Sequence, residues 1–175
     1  LRDIPLEADS IAFSPNGRLI PIGGQKGRVA LWEVATSKEL FSFDLADAAS
    51  PRKASIRDIE FSPDGKWFAT SDQYGVVRWD AKTGTELETF EYGLERRTHE
   101  TCLAISPDST RLASGCENNI RIWHVNGDHK PLLISKAHRS QVTALAFAVD
   151  GKTLYSGGPR RRSGRKEWES IVAIT

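Results

Sequence analysis

A five-residue turn motif recurs four times along this chain of 175 residues. The copies are Phe13–Gly17, Phe61–Gly65, Ile105–Ser109 and Phe147–Gly151, and their first residues are 48, 44 and 42 positions apart. In the first three copies a tryptophan follows 18 or 19 residues after the first residue of the motif, at Trp32, Trp79 and Trp123. A period of this length is typical of repeat proteins, in which each repeat forms one supersecondary unit. The two markers therefore predict one architecture repeated four times.

The second repeat shows which secondary structure one period contains. Apolar and polar residues largely alternate through Ile56–Phe61, as they do in a half-buried strand. Ser62–Gly65 has the composition of a tight turn, because proline presets φ and glycine tolerates a positive φ. Further strands are predicted at Trp67–Thr70, Val76–Trp79 and Glu86–Phe90. Four short antiparallel strands separated by turns predict an all-β fold.

The first and third repeats show the same succession of short strands and turns. In the first repeat they are Ile11–Phe13, Leu19–Ile22, Val29–Trp32 and Glu39–Phe43. In the third they are Thr101–Ile105, Arg111–Gly115, Ile120–Trp123 and Pro131–Ser135. The chain shows no helical periodicity of useful length, so strands alone are expected to build the core.

Several of these segments resemble the WD40-repeat β-propeller family. The segments are Ala113–Gly115 followed by Ile120–Trp123, together with Val29–Glu33 and Val77–Asp80 at the same place in their repeats. The resemblance covers essentially the whole chain. It implies that each repeat supplies one four-stranded antiparallel sheet, called a blade, offset by one strand. We therefore expect a β-propeller segment of about four WD40-type blades.

The repeats also predict where the blades begin and end within a single segment spanning 1–175. The boundaries are roughly 8–46, 52–92 and 99–135, with a partial blade at 138–175 and with 1–7 as the outer strand of a neighbouring blade. Because propellers of this family usually close with about seven blades, the resemblance implies a piece of a longer propeller. Two associated copies and a free-standing four-blade ring are the alternatives. The chain starts at Leu1 and contains no methionine, which indicates that the natural N-terminus lies elsewhere.

Many WD40 blades share a hydrogen-bond network of histidine, serine, aspartate and tryptophan, and no repeat here keeps all four. Ile22 takes the serine position of the first repeat, and Tyr74 lies near the acid position of the second. Asn118 or Asn119 lies near the acid position of the third. The structural residues that remain are Trp32, Thr70, Trp79, Ser114, Asn118, Trp123, His138 and Ser156. Because buried polar groups without partners cost about 1–3 kcal/mol each, we expect divergent blades held mainly by apolar packing.

The fourth repeat departs furthest from the pattern. Ten residues after Ser156, where the blade tryptophan is expected, the chain has Lys166. If Ile171–Ile174 is the third strand, Pro159–Lys166 becomes an overlong basic turn. If Trp168 is the blade tryptophan instead, the insertion is only two residues.

The chain offers no recognisable catalytic or metal-binding set. Its four histidines, His99, His124, His129 and His138, fall in different loops or strands without metal-ligand spacing. No glycine-rich phosphate loop is followed by a lysine. Cys102 and Cys116 are predicted to be small buried thiols, with a cross-strand disulfide as the alternative in an oxidising compartment. We expect no metal, no cofactor and no enzymatic activity.

A group of basic residues is the one set in the sequence that suggests a binding surface. In the WD40 family, the loops before the first strands and the turns between second and third strands share one face of the disc. The resemblance places these cations there: Arg52, Lys53, Arg96, Arg97, Arg139, Arg160, Arg161, Arg162, Arg165 and Lys166. Arginine forks bind carboxylate and phosphate in bidentate fashion. The net charge is only +1 and no aromatic residues interleave with the arginines, which favours an acidic protein segment over nucleic acid. A solvated basic loop without a partner is the competing interpretation.

These features predict a non-catalytic protein–protein interaction scaffold, a WD40 module within a larger protein. The alternatives are phosphate or nucleic-acid binding through the basic rim and the accessory propeller of a multidomain enzyme such as a kinase. Charged residues make up 27% and hydrophobic residues 39% of the chain, the balance of a globular domain in water. No apolar run is long enough to span a membrane. We therefore expect a cytoplasmic location and a protein partner, which includes a second copy or the remaining blades of a longer chain.

Overall fold

A computed structural model describes residues 8–45, 54–92, 101–128, 130–139, 141–162 and 165–169. For residue 101 and for residues from 160 onward, the description is of the backbone alone. The chain divides into two compact units, residues 1–99 and 100–175, which we call the N-terminal and C-terminal units. The expected outer strand at 1–7 lies outside the described residues, and the single-segment interpretation of 1–175 stays a prediction.

The N-terminal unit contains two four-stranded antiparallel sheets, each with its strands in chain order. Blade 1 consists of β1 (Ala8–Ile11), β2 (Leu19–Gly24), β3 (Arg28–Glu33) and β4 (Lys38–Asp44). Blade 2 consists of β5 (Asp58–Phe61), β6 (Trp67–Ser71), β7 (Gly75–Asp80) and β8 (Glu86–Glu91). A 3₁₀ turn at Gln25–Gly27 joins β2 to β3.

The C-terminal unit contains blades 3 and 4. Blade 3 consists of β9 (Thr101–Ile105), β10 (Arg111–Cys116), β11 (Asn119–His124) and β12 (Leu132–Ile134). In the described part of blade 4, three strands pair in the order β13 (Ala144–Phe147), β14 (Leu154–Arg162) and β15 (Arg165–Glu169). The predicted all-β fold, built from repeated antiparallel sheets, is confirmed.

The serine of the repeated turn motif makes two local hydrogen bonds through its hydroxyl group. Ser62 is fully buried, and its Oγ accepts from the backbone N–H of Trp67 at 3.1 Å and donates to Asp64 Oδ1 at 2.7 Å. Gly65 closes the turn with a φ of 72°, a left-handed conformation that favours glycine. Ser14 and Ser106 make the same two bonds in their own turns. The motif therefore joins the first two strands of a blade through bonds that need no other part of the protein.

Pro21 lies within β2, a central strand, where proline is rare. Its carbonyl accepts from the N–H of Ala12 at 3.3 Å, so the backbone polar groups of Pro21 face the side of β1. The ladder of β1 ends at Ile11, opposite Ile22. Proline has no backbone N–H, and at Pro21 this missing donor would face β1 just past the last pair of the β1–β2 ladder. The hydrogen bonds between β2 and β3 are therefore unaffected. The same early end explains why the first strand is Ala8–Ile11 instead of the predicted Ile11–Phe13.

Apolar side chains fill the space between the two sheets of the N-terminal unit. Val29 and Leu31 of β3 belong to one buried cluster with Ile56, Phe68 and Trp79 of the blade 2 repeat. Aromatic rings extend this cluster, because the ring of Phe43 lies 4.2 Å from that of Trp79 between centroids. Such pairs contribute more than their buried area alone.

The C-terminal unit has a core of its own between blades 3 and 4. Ala113 and Ile120 of blade 3 cluster there with Val142 and Leu154 of the fourth repeat. Gly115 lets the two sheets approach, because a Cβ at this position would collide with Val142 and with the Sγ of Cys102. Gly23 stands at the equivalent place in β2 and would collide with Ile56 in the same way. In both units, a glycine in the second strand of one blade therefore leaves room for a β-branched residue that precedes the first strand of the next blade.

Trp123→Ala is expected to lower the free energy of unfolding by about 3–5 kcal/mol, because truncating a buried tryptophan leaves a cavity. Trp123 is only 1% exposed. Chemical denaturation followed by circular dichroism measures the loss. Leu133→Ala is the matched control in the same sheet, since Leu133 is 48% exposed. A loss for Trp123→Ala no larger than that of the control would show that the tryptophan is dispensable.

Candidate functional site

The tryptophan of blade 2 is held by the threonine that precedes the β6–β7 turn. Trp79 Nε1 donates to Thr70 Oγ1 at 2.9 Å, and both residues are buried. The acid of this blade is Asp72, a residue that the sequence analysis missed because it considered Tyr74. Asp72 Oδ1 accepts from the N–H groups of Tyr74 at 2.7 Å and Gly75 at 3.0 Å. The signal was the aspartate three residues before a glycine, which is typical of a side chain that caps its own turn.

Blade 1 keeps its tryptophan but not the partner. Trp32 Nε1 is buried and finds no hydrogen-bond acceptor within the part of the chain that the structure describes. Ile22, which is 2% exposed, stands in β2 where Thr70 stands in β6. Apolar packing therefore replaces the polar bond in this blade.

Blades 3 and 4 are joined by the loop that precedes β13. In blade 3, Ser114 and Trp123 are both buried, and the carbonyl of Asn118 accepts from the N–H of His138 at 3.5 Å. His138 is itself buried, and its Nε2 lies 2.8 Å from Ser156 Oγ on β14. Two bonds thus fix the start of the loop against both sheets of the C-terminal unit.

The same loop passes the base of a long hairpin. A Cβ at Gly158 would collide with the carbonyl oxygen of Gln141, so the loop and β14 touch at this point. Here β14 stops pairing with β13, whose last partner is Gly157, and begins to pair with β15 at Gly158. Arg139, an exposed residue, is carried on this fixed loop beside the hairpin.

The structure corrects the interpretation of Pro159–Lys166 as an overlong turn. Pro159–Arg162 belong to β14 and Arg165–Lys166 to β15, and the two strands pair from Gly158 with Glu169 to Arg162 with Arg165. The error arose because a run of arginine, serine and glycine shows no alternation of apolar residues. A β-ladder is built from backbone hydrogen bonds, which these residues supply as well as others.

The register also decides against Trp168 as the blade tryptophan. In blades 2 and 3 the tryptophan is opposite Phe68 and Leu112, the residues that pair with the end of the first strand. The equivalent residue of β14 is Leu154, which pairs with Phe147. Trp168 is opposite Pro159, five positions farther along the strand. The alternative third strand, Ile171–Ile174, lies outside the described residues.

The predicted basic rim is only partly within the described chain. Arg52, Lys53, Arg96 and Arg97 lie outside it. Of the remaining predicted positions, Arg139 is in the loop before β13, and the other five lie on the β14–β15 ladder. These five are Arg160, Arg161, Arg162, Arg165 and Lys166. The structure therefore places six of the predicted cations on or beside one hairpin, which we call the basic hairpin (Gly158–Glu169).

A charged row crosses blade 2, half-buried at Glu60 and buried at Arg78 and Glu88, and it was not predicted from the sequence. Glu60, Ala69, Arg78 and Glu88 are successive cross-strand partners from β5 to β8. Arg78 Nη2 lies 3.1 Å from Glu88 Oε2, and the Arg78 guanidinium lies 5.5 Å from the centre of the Trp67 ring. Burial, and after it the nearby carboxylate of Asp58, raises the pKa of Glu60 to about 7. Removing one partner of such a buried pair is more costly than the pair's net contribution, so we assign the row a structural role.

The described residues contain no group of three histidine, cysteine, aspartate or glutamate side chains placed to hold a metal ion. Cys102 and Cys116 are both buried, in the two strands where the sequence placed them. Cys102 is opposite Gly115, and Cys116 is opposite residue 101, so the two thiols are not cross-strand partners.

Within the described chain, no helix is long and apolar enough to cross a membrane.

A family model for the WD domain, G-beta repeat (WD40), matches residues 49–80, 95–124 and 129–161, more than half of the chain. The chain belongs to the WD40 family. The first repeat lies outside the matched residues, although blade 1 has the same strand order as blades 2 and 3. Pro21 and Ile22 in β2 are departures of this repeat from the pattern of blades 2 and 3.

Three relatives show how this WD40 chain compares with longer proteins. It is 32% identical over 117 residues to Target of rapamycin complex subunit LST8-1 of Arabidopsis thaliana, across 61% of this chain and 37% of that protein. It is 28% identical over 169 residues to WD repeat-containing protein 1 of Gallus gallus, across 95% and 26%. It is 29% identical over 123 residues to Small ribosomal subunit protein RACK1 of Schizosaccharomyces pombe, across 66% and 37%. The chain therefore spans well under half the length of these relatives.

Thr70→Val is expected to destabilise the protein by about 1–3 kcal/mol, because it leaves the buried Trp79 N–H without an acceptor while keeping the shape of the side chain. Urea denaturation measures the effect. Thr36→Val is the control, since Thr36 is exposed and its hydroxyl bonds to Glu33, also at the surface of the described chain. Equal stability of the two variants would show that the Trp79 bond contributes nothing.

Glu60→Gln is expected to remove a pH dependence of stability. Because the pKa of Glu60 is raised from 4.5 to about 7 in the folded protein, the folded state holds this proton more tightly than the unfolded state. The resulting stabilisation is complete below pH 4.5 and is lost as the pH rises through 7. The glutamine variant should therefore gain melting temperature relative to the parent as the pH rises across this window. Thermal unfolding across the pH range tests this, and parallel curves for parent and variant would contradict it.

Proposed function

We propose that this chain is a non-catalytic interaction scaffold that binds an acidic segment of a protein partner through the basic hairpin. The observation that carries the proposal is the ladder between β14 and β15, which continues from Gly158 to Arg162 after β13 has stopped pairing. Five of its positions are arginine or lysine. A ladder holds its backbone more rigidly than a loop, so the basic positions are presented at lower entropic cost on binding.

The surroundings of the hairpin support the same function. The loop that carries Arg139 is fixed by the His138–Ser156 contact at 2.8 Å, so a sixth cation sits on rigid backbone beside the hairpin. Arginine is suited to bidentate recognition of carboxylates, which an acidic protein segment supplies in series. Binding residues placed on connections of a stiff scaffold are the usual arrangement for interaction proteins.

The relatives agree with a scaffold role within assemblies. One is named as a subunit of the target of rapamycin complex and another as a small ribosomal subunit protein. We propose that this chain likewise works inside a larger protein or complex, in the cytoplasm. Remaining blades of a longer chain, or a second copy, would complete the propeller.

Replacing Arg160, Arg161 and Arg162 together with alanine is expected to weaken binding of a fluorescent glutamate-rich peptide about tenfold, while the melting temperature changes by less than about 3 °C. Fluorescence anisotropy and thermal unfolding of the full chain provide the two measurements. The triple lysine variant is the matched control, because it keeps the charge and loses only the bidentate geometry.

Three results would overturn this proposal. One is the absence of saturable peptide binding to the parent chain. Another is unchanged binding by the triple alanine variant, and the third is a collapse of its melting temperature, which would assign the arginines to stability. Tighter binding of a single-stranded oligonucleotide with a steep salt dependence would favour nucleic acid as the ligand instead.

A further inference from the structure

A second cationic surface lies in the C-terminal unit, away from the basic hairpin's own ladder. It is a cleft of about 210 Å³ between blades 3 and 4. Its apolar lining consists of Ile122, Leu132, Phe147 and Leu154. Ile122 and Leu154 are buried, whereas Leu132 on β12 is 58% exposed. The cleft thus has an apolar floor and an accessible apolar wall.

Three cations surround this floor, Arg111, Lys130 and Lys152. His124 completes the lining, and no carboxylate is among the residues that line the cleft. Arg111 is positioned by the ring of Phe147, whose centre lies 5.3 Å from the guanidinium carbon. Within the described part of the chain, Arg111, Lys130 and Lys152 have no carboxylate at salt-bridge distance.

The nearby aspartates are engaged by their own turns. Asp108 accepts from Ser106 Oγ and from Thr110, and these bonds lower its pKa to about 2. Asp150 Oδ1 accepts from the N–H groups of Lys152 and Thr153. Both carboxylates interact electrostatically with Arg111, and Asp150 also with Lys152, which reduces the local positive potential. Neither aspartate is among the residues that line the cleft, so the lining itself contains basic groups and no carboxylate.

The equivalent place in the N-terminal unit is filled. There Phe41 is opposite Leu31, as Leu132 is opposite Ile122, and Phe41 packs against Gly84 and the N-terminal core. Lys66, which follows the turn glycine as Lys152 does, is paired with Asp64 at 3.5 Å. The side chains at these equivalent positions therefore differ between the two units, so the lining of the cleft does not follow from the fold alone.

We propose that this cleft binds an acidic peptide segment that inserts one apolar side chain between Leu132 and Phe147. Its volume is below the roughly 300–1,000 Å³ typical of small-molecule sites and suits one side chain. The apolar floor would bury the apolar side chain of the peptide, and the surrounding cations would attract acidic residues on either side of it. The inference rests on the proposed scaffold function and adds a second contact with stated chemistry.

The test uses the full chain and a fluorescein-labelled peptide in which one leucine is flanked by aspartates. The double variant Lys130→Glu/Lys152→Glu is expected to bind this peptide about tenfold more weakly than the parent. Replacing the peptide's leucine with alanine should weaken binding to the parent by about the same factor, because the apolar floor loses its occupant. Lys66→Glu is the matched control and should leave binding unchanged, since it reverses the charge at the equivalent turn position.

Five outcomes would overturn the cleft proposal. They are no saturable binding of the leucine peptide, equal binding of the alanine peptide, unchanged binding by the double lysine variant, an equal loss with Lys66→Glu, and preference for an oligonucleotide of equal charge. The scaffold proposal is tested separately by the glutamate-rich peptide and the hairpin variants. If hairpin variants lose that peptide while the double lysine variant keeps the leucine peptide, the cleft is wrong and the scaffold stands. If the parent fails to bind the glutamate-rich peptide, the hairpin function fails whatever the cleft binds.

Discussion

Face-to-face packing of neighbouring sheets is the interaction on which each compact unit depends. A four-stranded sheet alone cannot bury its apolar side chains, so each blade needs a neighbour. The closest approach uses the same device in both units: Gly23 receives Ile56, and Gly115 receives Val142. In each pair the β-branched residue lies five positions before the end of the next blade's first strand. The same two positions of the repeat therefore make the contact in both units.

The hydrogen-bond network within the blades varies from blade to blade, whereas the packing between sheets is present in both units. Blade 2 keeps a Thr70–Trp79 bond, whereas Trp32 in blade 1 has lost its acceptor to Ile22. The histidine–serine contact survives in blade 4, where it fixes the loop beside the basic hairpin. Each blade therefore keeps a different part of the network, while the apolar packing between sheets is common to both units.

Sequence reasoning succeeded where the signal is local and failed where it is not. The serine–aspartate turns and the alternating strands were predictable because their bonds span only a few residues, as in Ser62–Trp67. The hairpin was missed because Arg160–Arg162 show no pattern and are held by backbone pairing. The charged row of Glu60, Arg78 and Glu88 was missed because its members come from three strands. Their proximity depends on register, which the sequence of any one strand does not contain.

By itself the sequence determined the all-β class, the repeat period, the turns and the family, because all of these follow from short-range patterns and their recurrence. Tertiary structure alone decided which polar residues meet, where β14 changes partners, and that a cationic cleft opens beside Leu132. The physical reason is that register and sheet-to-sheet packing bring together residues that are far apart in the chain. A basic stretch predicted as a turn pairs instead as two strands, and cations from separate parts of the chain line one cleft.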